Sequence, residues 1–240
     1  MKKLIVIPSF IMAIALLCTL SACRNNCIKG SGNENTETRK FGDFKSIEIQ
    51  GAFNVVLKQD SSMGVKITAD DNLLKYIRTG VSGGKLHIYS KKNFCSKGPI
   101  TINIGVGRLE SLSADGAIEL NSDGKINTDN LRLSLSGGNK ITLNLNAADF
   151  SVDGSGANEL FLTGQAAAAK SSFTGSGKLH AFDFVVGDYD LSTTGASNCE
   201  INVLKSLKVS TMGASDIKYK GNPANIQNEK SGASKLTKVD

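Results

Sequence analysis

The sequence predicts an all-β fold, a right-handed parallel β-helix (solenoid) with coils of about 19 residues. A glycine-led motif returns seven times in the C-terminal half at intervals of 18–21 residues, and so steady a period is typical of stacked repeats. Apolar and small residues alternate with polar ones around each motif, which indicates strands with one buried face. Turn-forming residues recur between the motifs, and about 19 residues is too short for a repeat that contains a helix.

The repeated motif predicts how the coils stack. Its copies begin at Gly116, Gly137, Gly156, Gly175, Gly195, Gly213 and Gly232. Three residues after each lead glycine stand Glu119, Lys140, Glu159, Lys178, Asn198, Asp216 and Lys235. If the coils stack in register, neighbours in this column lie about 4.8 Å apart, and no two like charges are adjacent. Opposite charges across strands contribute roughly 0.2–1 kcal/mol, so the column selects register more than it supplies stability.

Small residues dominate the positions that face inward near each lead glycine. Gly, Ser and Asn recur there, as at Gly154, Asn158 and Ser215. Such columns predict a narrow interior, in which larger side chains do not fit beside the backbone.

The pattern of residues 1–22, in which Lys2 and Lys3 precede a largely apolar run, predicts a secretion signal. The Leu20-Ser21-Ala22-Cys23 sequence resembles the lipobox of bacterial lipoproteins. This resemblance implies that Cys23 is diacylated and becomes the new N-terminus after cleavage. A plain signal peptide and a transmembrane anchor remain as alternatives, although a true membrane span needs about 20 apolar residues.

Three further segments follow the signal. Residues 23–40 are polar and rich in Gly, Ser and Asn, which predicts a tether between lipid and folded body. Residues 41–108 contain strand patterns without a clean repeat, and we expect divergent coils there that cap the solenoid. The regular repeats occupy residues 109–240, so residues 41–240 are expected to form a single folded unit.

The start of the folded part resembles a known family. Its alternating pattern consists of Phe44, Ile47, Ile49, Gly51, Phe53 and Val55. Together with the returning Ser/Thr-Gly-Ala-Ser units, this pattern resembles the auto-transporter adhesin, head GIN domain family over residues 41–238. The resemblance implies a right-handed β-helix that is exported or lipid-anchored in bacteria, and it implies no catalytic residues.

Three cysteines besides Cys23 remain in the mature chain. Export favours disulfides, and Cys27 with Cys95 is the candidate pair. The sequence does not decide whether this bridge forms, because Cys27 falls in the predicted tether. Cys199 replaces the Leu or Ile of an inward column and is interpreted as a small buried hydrophobe. No CxxC pair or nearby His indicates a metal site, and no cofactor is predicted.

The sequence contains no catalytic motif of the HExxH, GxSxG or Walker type. His87 and His180, the only histidines, lie at strand positions expected to face solvent. We therefore predict no catalytic residues.

Acidic pairs leave one alternative open, because paired carboxylates cleave glycans. Asp70-Asp71 predicts a turn or helix N-cap. Asp188 and Asp190 flank a corner, where Asp bonds to backbone. No Arg or Lys cluster accompanies these acids in the sequence, and no Trp is available to stack on a sugar. A carbohydrate-active enzyme, a polysaccharide lyase or hydrolase, is thus the second hypothesis.

Charge and composition limit the remaining function classes. The net charge is +6, and removal of the two signal lysines leaves 6 − 2 = +4. Basic and acidic residues are interspersed, which disfavours a nucleic-acid groove. We expect a non-catalytic, adhesin-like envelope lipoprotein on the periplasmic or surface face of the outer membrane. Its expected partners are the membrane, through the lipid anchor, and an envelope protein or glycan; oligomeric state stays open, including stacking of an end coil.

Overall fold

A computed structural model describes residues 27–240, and the predicted signal, Cys23 and the first residues of the predicted tether lie outside this range. The described chain is almost entirely strand, which confirms the all-β prediction. The elements are β1 (Cys27–Lys29), β2 (Glu34–Lys40), β3 (Ser46–Gln59), β4 (Gly64–Asp70), α1 (Asp71–Leu74), β5 (Ile77–Ser82), β6 (Lys85–Ser90), β7 (Asn93–Cys95), β8 (Thr101–Val106), β9 (Ser111–Gly137), β10 (Lys140–Gly195), β11 (Asn198–Gly213), β12 (Asp216–Lys220), β13 (Asn225–Gly232) and β14 (Lys235–Lys238). Within residues 27–240 no helix is long and apolar enough to cross a membrane.

The C-terminal part is built from parallel ladders, whose register shifts only at a few bulges. The main sheet has the strand order β14-β12-β11-β10-β9-β3-β8-β4-β2, and every pairing from β3 to β14 along it is parallel. Strands β9 and β10 run for 27 and 56 residues because the chain keeps its pairing while it bends through corners. We call each returning segment of about 19 residues a rung.

A column of glycines explains the repeat. Gly51 pairs with Gly116, Gly137 with Gly156, and Gly195 with Gly213. The φ angle of Gly137 is +95°, in the left-handed region that favours glycine. A Cβ on Gly137 would also lie inside 3.0 Å of the Gly116 carbonyl oxygen, which already accepts a hydrogen bond of 2.7 Å from the Gly138 amide. The corner therefore requires glycine for both its backbone conformation and its close approach.

The charge column lies where the sequence predicts it. Lys140 pairs with Glu119 in the parallel register, with 3.8 Å between Nζ and Oε1. The Nζ of Lys178 lies 3.7 Å from Oε1 of Glu159. Both ion pairs are solvent-exposed, so each contributes at most about 1 kcal/mol. The predicted pairing of the charge-column positions in parallel register is confirmed for the pairs that join β9 to β10 and β10 to β11, β12 and β14 in turn.

The interior is wider than the sequence predicts. Phe150, Phe173 and Phe184 are all buried among the aliphatic columns. A Cβ on Gly154 would lie 2.8 Å from the Phe173 ring, and one on Gly177 would lie equally close to it. The inward glycines therefore provide the space that the Phe173 ring fills, and the prediction of a narrow interior, in which larger side chains do not fit beside the backbone, is wrong.

The N-terminal part forms a cap of mixed pairing. Strand β2 is antiparallel to β4, β4 to β8, and β5 to β6, while β6 and β8 are parallel to β3. The structure differs here from the predicted tether, because residues from Cys27 onward enter β1 and β2. An exposed edge strand such as β2 is polar on both faces, so its composition is the same as that of a linker.

Candidate ligand-binding groove

A groove of about 490 Å³ crosses several rungs on one side of the molecule. Its lining comes from the corner that precedes the strand leading to each lead glycine, in β9, β10 and β11. The residues that line it are Glu110, Asn130, Leu131, Arg132, Asp149, Phe150, Ser151, Ala168, Ala169, Lys170, Asp188, Tyr189, Asp190, Ser206 and Lys208.

Two alanines produce the groove. Seven residues before successive lead glycines stand Asn130, Asp149, Ala168, Asp188 and Ser206, of which only Ala168 lacks a polar group. At the next position Ala169 stands where the adjoining rungs have Phe150 and Tyr189. The rung with the two alanines therefore has shorter side chains than the rungs on either side of it, and this difference leaves a depression in the surface.

The aromatic residues below the groove belong to the core. Phe150 and Tyr189 are each only 2% exposed. The Phe150 ring packs edge-on against Phe184 at 5.7 Å, and the Tyr189 hydroxyl lies 2.8 Å from Oγ of Ser171. Burial raises the pKa of Tyr189 well above its ordinary value, so the phenol stays neutral. These residues give the groove a rigid floor.

Acidic and basic side chains form two adjacent columns along the groove. The acidic column contains Asp149 and Asp188, and five residues before the lead glycines Arg132, Lys170 and Lys208 form a largely basic column. Among the described residues Lys170, Lys208 and Asp149 have no ion-pair partner within 4.0 Å, so these groups are available to a ligand.

Asp188 and Asp190, singled out in the sequence, both lie at this groove. Asp188 accepts a 2.7 Å hydrogen bond from Oγ of Ser206, and Asp190 pairs in register with Lys208. The fold adds Asp149 and the basic column, so basic residues that are distant in sequence do gather beside Asp188 and Asp190, and the expectation that no Arg or Lys cluster accompanies these two acids is wrong. Sequence reasoning missed Asp149 and Lys170, although comparison of the repeats at fixed offsets shows the alanine gap beside them.

The carboxylate arrangement favours binding over bond cleavage. Asp149 and Asp188 stand two rungs apart, about 10 Å at roughly 4.8 Å per strand. Both side chains are exposed, whereas a glycosidase acid is held in an environment that keeps its carboxyl protonated. The groove can donate and accept hydrogen bonds and can match a ligand of mixed charge.

The histidines have structural partners. His180 Nδ1 lies 3.1 Å from Oε2 of Glu200, its Nε2 lies 3.7 Å from Oε1 of Glu159, and its ring stacks on Phe161 at 4.7 Å. His87 Nδ1 lies 3.5 Å from Oε2 of Glu48. Within residues 27–240 no group of His, Cys, Asp and Glu is arranged to hold a metal ion.

The acidic pair at the helix has local partners as well. Asp70 stands at the N-cap position of α1 but accepts a 3.2 Å hydrogen bond from Oγ of Ser96 instead of capping the helix. Asp71 accepts hydrogen bonds from the Ser31 hydroxyl and the Asn72 amide, both at 2.6 Å.

The cysteines fall into two classes. Cys27 and Cys95 form a disulfide with their Cα atoms 5.5 Å apart, and Cys199 is a buried free thiol. Burial raises the pKa of Cys199 to about 12, which is typical of an unreactive thiol. The predicted lipidation site, Cys23, lies outside the described residues.

Known proteins share this architecture. The family model described as "Putative auto-transporter adhesin, head GIN domain" matches residues 43–223. A putative adhesin from Bacteroides fragilis NCTC 9343 is 22% identical with a TM-score of 0.83, covering 88% of this chain and 100% of its own. A putative lipid binding protein from Parabacteroides distasonis ATCC 8503 is 20% identical with a TM-score of 0.68. The match covers 89% of the present chain and 99% of the lipid binding protein. At these identities the solved structures show the fold alone. No curated protein matches the chain.

Proposed function

This chain belongs to the family of the putative auto-transporter adhesin, head GIN domain, and from that membership we propose that it is a non-catalytic, adhesin-like binding module exported to the bacterial cell envelope. The family description and the name of the similar Bacteroides fragilis structure are those of adhesins. The mixed-charge groove over β9, β10 and β11 supplies a surface suited to such a role.

The fold that we propose for residues 109–240 is a right-handed parallel β-helix. The parallel, in-register pairing from β3 to β14 and the single glycine column support it. The hand follows the general preference of crossovers between parallel strands. In this arrangement every rung presents the same positions to one side, so a groove can extend over several rungs.

Attachment to the membrane is the second part of the proposal. The lipobox-like sequence before Cys23 supports cleavage and diacylation at this residue, which would retain the protein at the envelope. Mass spectrometry of the N-terminal peptide from a membrane fraction tests this directly. A diacylated Cys23 is expected, and recovery of an unmodified chain in the soluble fraction would reject the anchor.

The ligand class that the groove fits best is a glycan of the cell envelope. One observation supports this choice: the methyl groups of Ala168 and Ala169 line the groove together with columns of carboxylate, ammonium and guanidinium groups. Methyl groups can contact the C–H face of a sugar, while the charged columns can bond to its hydroxyl, amino or carboxylate groups. An extended segment of an envelope protein is the other partner that this surface admits.

A pair of alanine variants tests the groove. Ala168→Gln places a solvent-facing side chain in the gap, and we expect binding to an array of envelope polysaccharides to fall about tenfold or more. Ala157→Gln changes an exposed alanine beside the lead glycine Gly156, away from the groove lining, and should leave binding unchanged. Equal binding by both variants would show that the ligand does not enter the groove. If the parent chain bound an envelope protein and no glycan, the occupant of the groove would be the protein segment.

A carbohydrate-active enzyme remains the second candidate, because the fold gathers Asp149, Asp188 and Asp190 along one groove. Its signature would be the release of new sugar ends from a bound polysaccharide. If Asp188→Asn abolished this release while glycan binding persisted, the enzymatic hypothesis would replace the first. The solvent exposure of Asp149 and Asp188 favours binding without cleavage.

A further inference from the structure

The N-terminal cap lies where the chain enters the folded body. We define this cap surface as residues 27–31, 70–76 and 91–97. We propose that it docks on an anionic phospholipid surface, so that the base of the molecule lies against the membrane. The orientation rests on the proposed lipid anchor at Cys23, whereas the affinity of the cap surface for lipid can be measured without that anchor.

The connection between anchor and fold is short. Cys27 is fixed by its disulfide to Cys95, and β1 pairs in parallel with β7. Only four residue steps separate Cys23 from Cys27, which reach about 14 Å at most at 3.3–3.6 Å per residue. A flexible tether through residue 40 would have reached roughly 60 Å. The length of the connection therefore holds the cap surface close to the bilayer.

The cap surface is basic. It exposes five lysines, which are Lys29, Lys75, Lys91, Lys92 and Lys97. None of them is in the ion pairs formed within residues 27–240. The acidic groups facing them are Asp70, Asp71 and Glu34, of which Asp70 is buried against Ser96 and Asp71 is bonded to Ser31. Lysine charge therefore exceeds acidic charge on this surface.

Direct contacts hold these lysines on one structural unit. Lys29 pairs in register with Cys95, and its carbonyl oxygen accepts a 2.9 Å hydrogen bond from Nδ2 of Asn72. The Lys91 amide donates to the Tyr76 carbonyl oxygen at 3.1 Å. The Nζ of Lys75 lies 5.2 Å from the centroid of the Tyr76 ring. The lysines thus belong to one unit instead of being scattered over the molecule.

Two half-buried aromatic rings lie among the lysines. The Tyr76 and Phe94 rings have centroids 6.5 Å apart. Aromatic side chains are enriched at the level of lipid headgroups, and clustered lysines near a bilayer favour anionic lipids. A basic surface with central aromatic groups, joined to a lipid anchor by four residue steps, matches an anionic phospholipid surface in charge, chemistry and position.

Docking of the cap would present the proposed groove away from the lipid. The rung of β6 and β8 is followed by that of β3, and Ala168 stands four rungs further along. At roughly 4.8 Å per rung, the centre of the groove lies about 24 Å from the cap rung. The groove would then be accessible to a ligand while the cap contacts the bilayer.

Vesicle flotation tests the proposal on the mature chain, residues 23–240, with Cys23→Ser to prevent acylation. The vesicles contain equal amounts of phosphatidylglycerol and phosphatidylcholine, and vesicles of phosphatidylcholine alone serve for comparison. We expect binding only to the anionic vesicles, with a loss at high salt. The triple variant Lys75→Gln, Lys91→Gln and Lys92→Gln should bind about a hundredfold more weakly, at roughly fivefold for each lysine.

A charge-matched variant controls for net charge. Lys125→Gln, Lys205→Gln and Lys230→Gln remove three exposed lysines outside the cap surface, and binding should stay within about threefold of the parent chain. Absence of binding to anionic vesicles, or equal weakening by both triple variants, would overturn the proposal. Because this chain cannot be acylated, either result is independent of the test for lipid at Cys23.

Discussion

Replacement of Gly137 by alanine should destabilise the fold strongly. The φ angle of this residue is +95°, which costs about 1–3 kcal/mol for a residue with a side chain. The added Cβ would lie inside 3.0 Å of the Gly116 carbonyl oxygen, and relief of such overpacking costs roughly another 1–3 kcal/mol. Together these effects lower the free energy of unfolding by about 2–6 kcal/mol. For a domain of this size, each kcal/mol lowers Tm by roughly 2–4 °C.

The neighbouring glycine provides a matched control. Gly138 has no positive φ, and the nearest atom to an added Cβ is the Ala157 carbonyl oxygen at 3.9 Å. The other copies of the motif have Ala or Ser at this position. Gly138→Ala should therefore be neutral or stabilise by up to about 1 kcal/mol, through the lower entropy of the unfolded chain.

Urea unfolding followed by circular dichroism compares the two variants with the parent chain. The expected result is a large decrease in midpoint for Gly137→Ala and no decrease for Gly138→Ala. If the two variants had equal midpoints, the explanation of the repeat by the glycine column would be refuted. A small effect of Gly137→Ala, below about 1 kcal/mol, would show that the rung shifts at little cost.

The remaining predictions concern the crosslink, the buried thiol and the core. Replacement of both Cys27 and Cys95 by alanine should lower the free energy of unfolding by about 4 kcal/mol, from the entropy of a loop with a sequence separation of 68; an unchanged urea midpoint would contradict this. Cys199, with its pKa raised to about 12 by burial, should resist thiol reagents at pH 8 until the protein unfolds, and prompt labelling of the native protein would contradict its placement. Gly154→Ala should destabilise by about 1–3 kcal/mol because its Cβ would lie 2.8 Å from the Phe173 ring. Calorimetry of the double variant with Phe173→Ala should show a smaller loss of unfolding free energy than the sum of the losses in the two single variants. Additive losses would show that Gly154 and Phe173 do not interact.

The structure shows why local polarity could not define the folded boundary. Thr36 and Thr38 in β2 pair with Thr68 and Lys66 in β4. The residues around them are polar and exposed, which is also the composition of a linker. An edge strand depends on backbone hydrogen bonds to its partner, and these leave no pattern of buried side chains in the sequence. The disulfide between Cys27 and Cys95 is likewise a contact between segments 68 residues apart.

The sequence by itself determined the all-β class, the parallel register and the charged column. These features follow from local alternation and from a glycine requirement that each rung repeats, as at Gly137 and Gly156. Only the tertiary structure decided that Ala168 forms a gap, because an alanine is a gap only beside Asp149 and Asp188 on the adjoining rungs. It also decided that Phe173 fits into the interior, since the volume available to its ring depends on Gly154, one rung away, as well as on the nearby Gly177. Side-chain volume at one position has meaning only relative to neighbours that the chain brings together after about 19 residues.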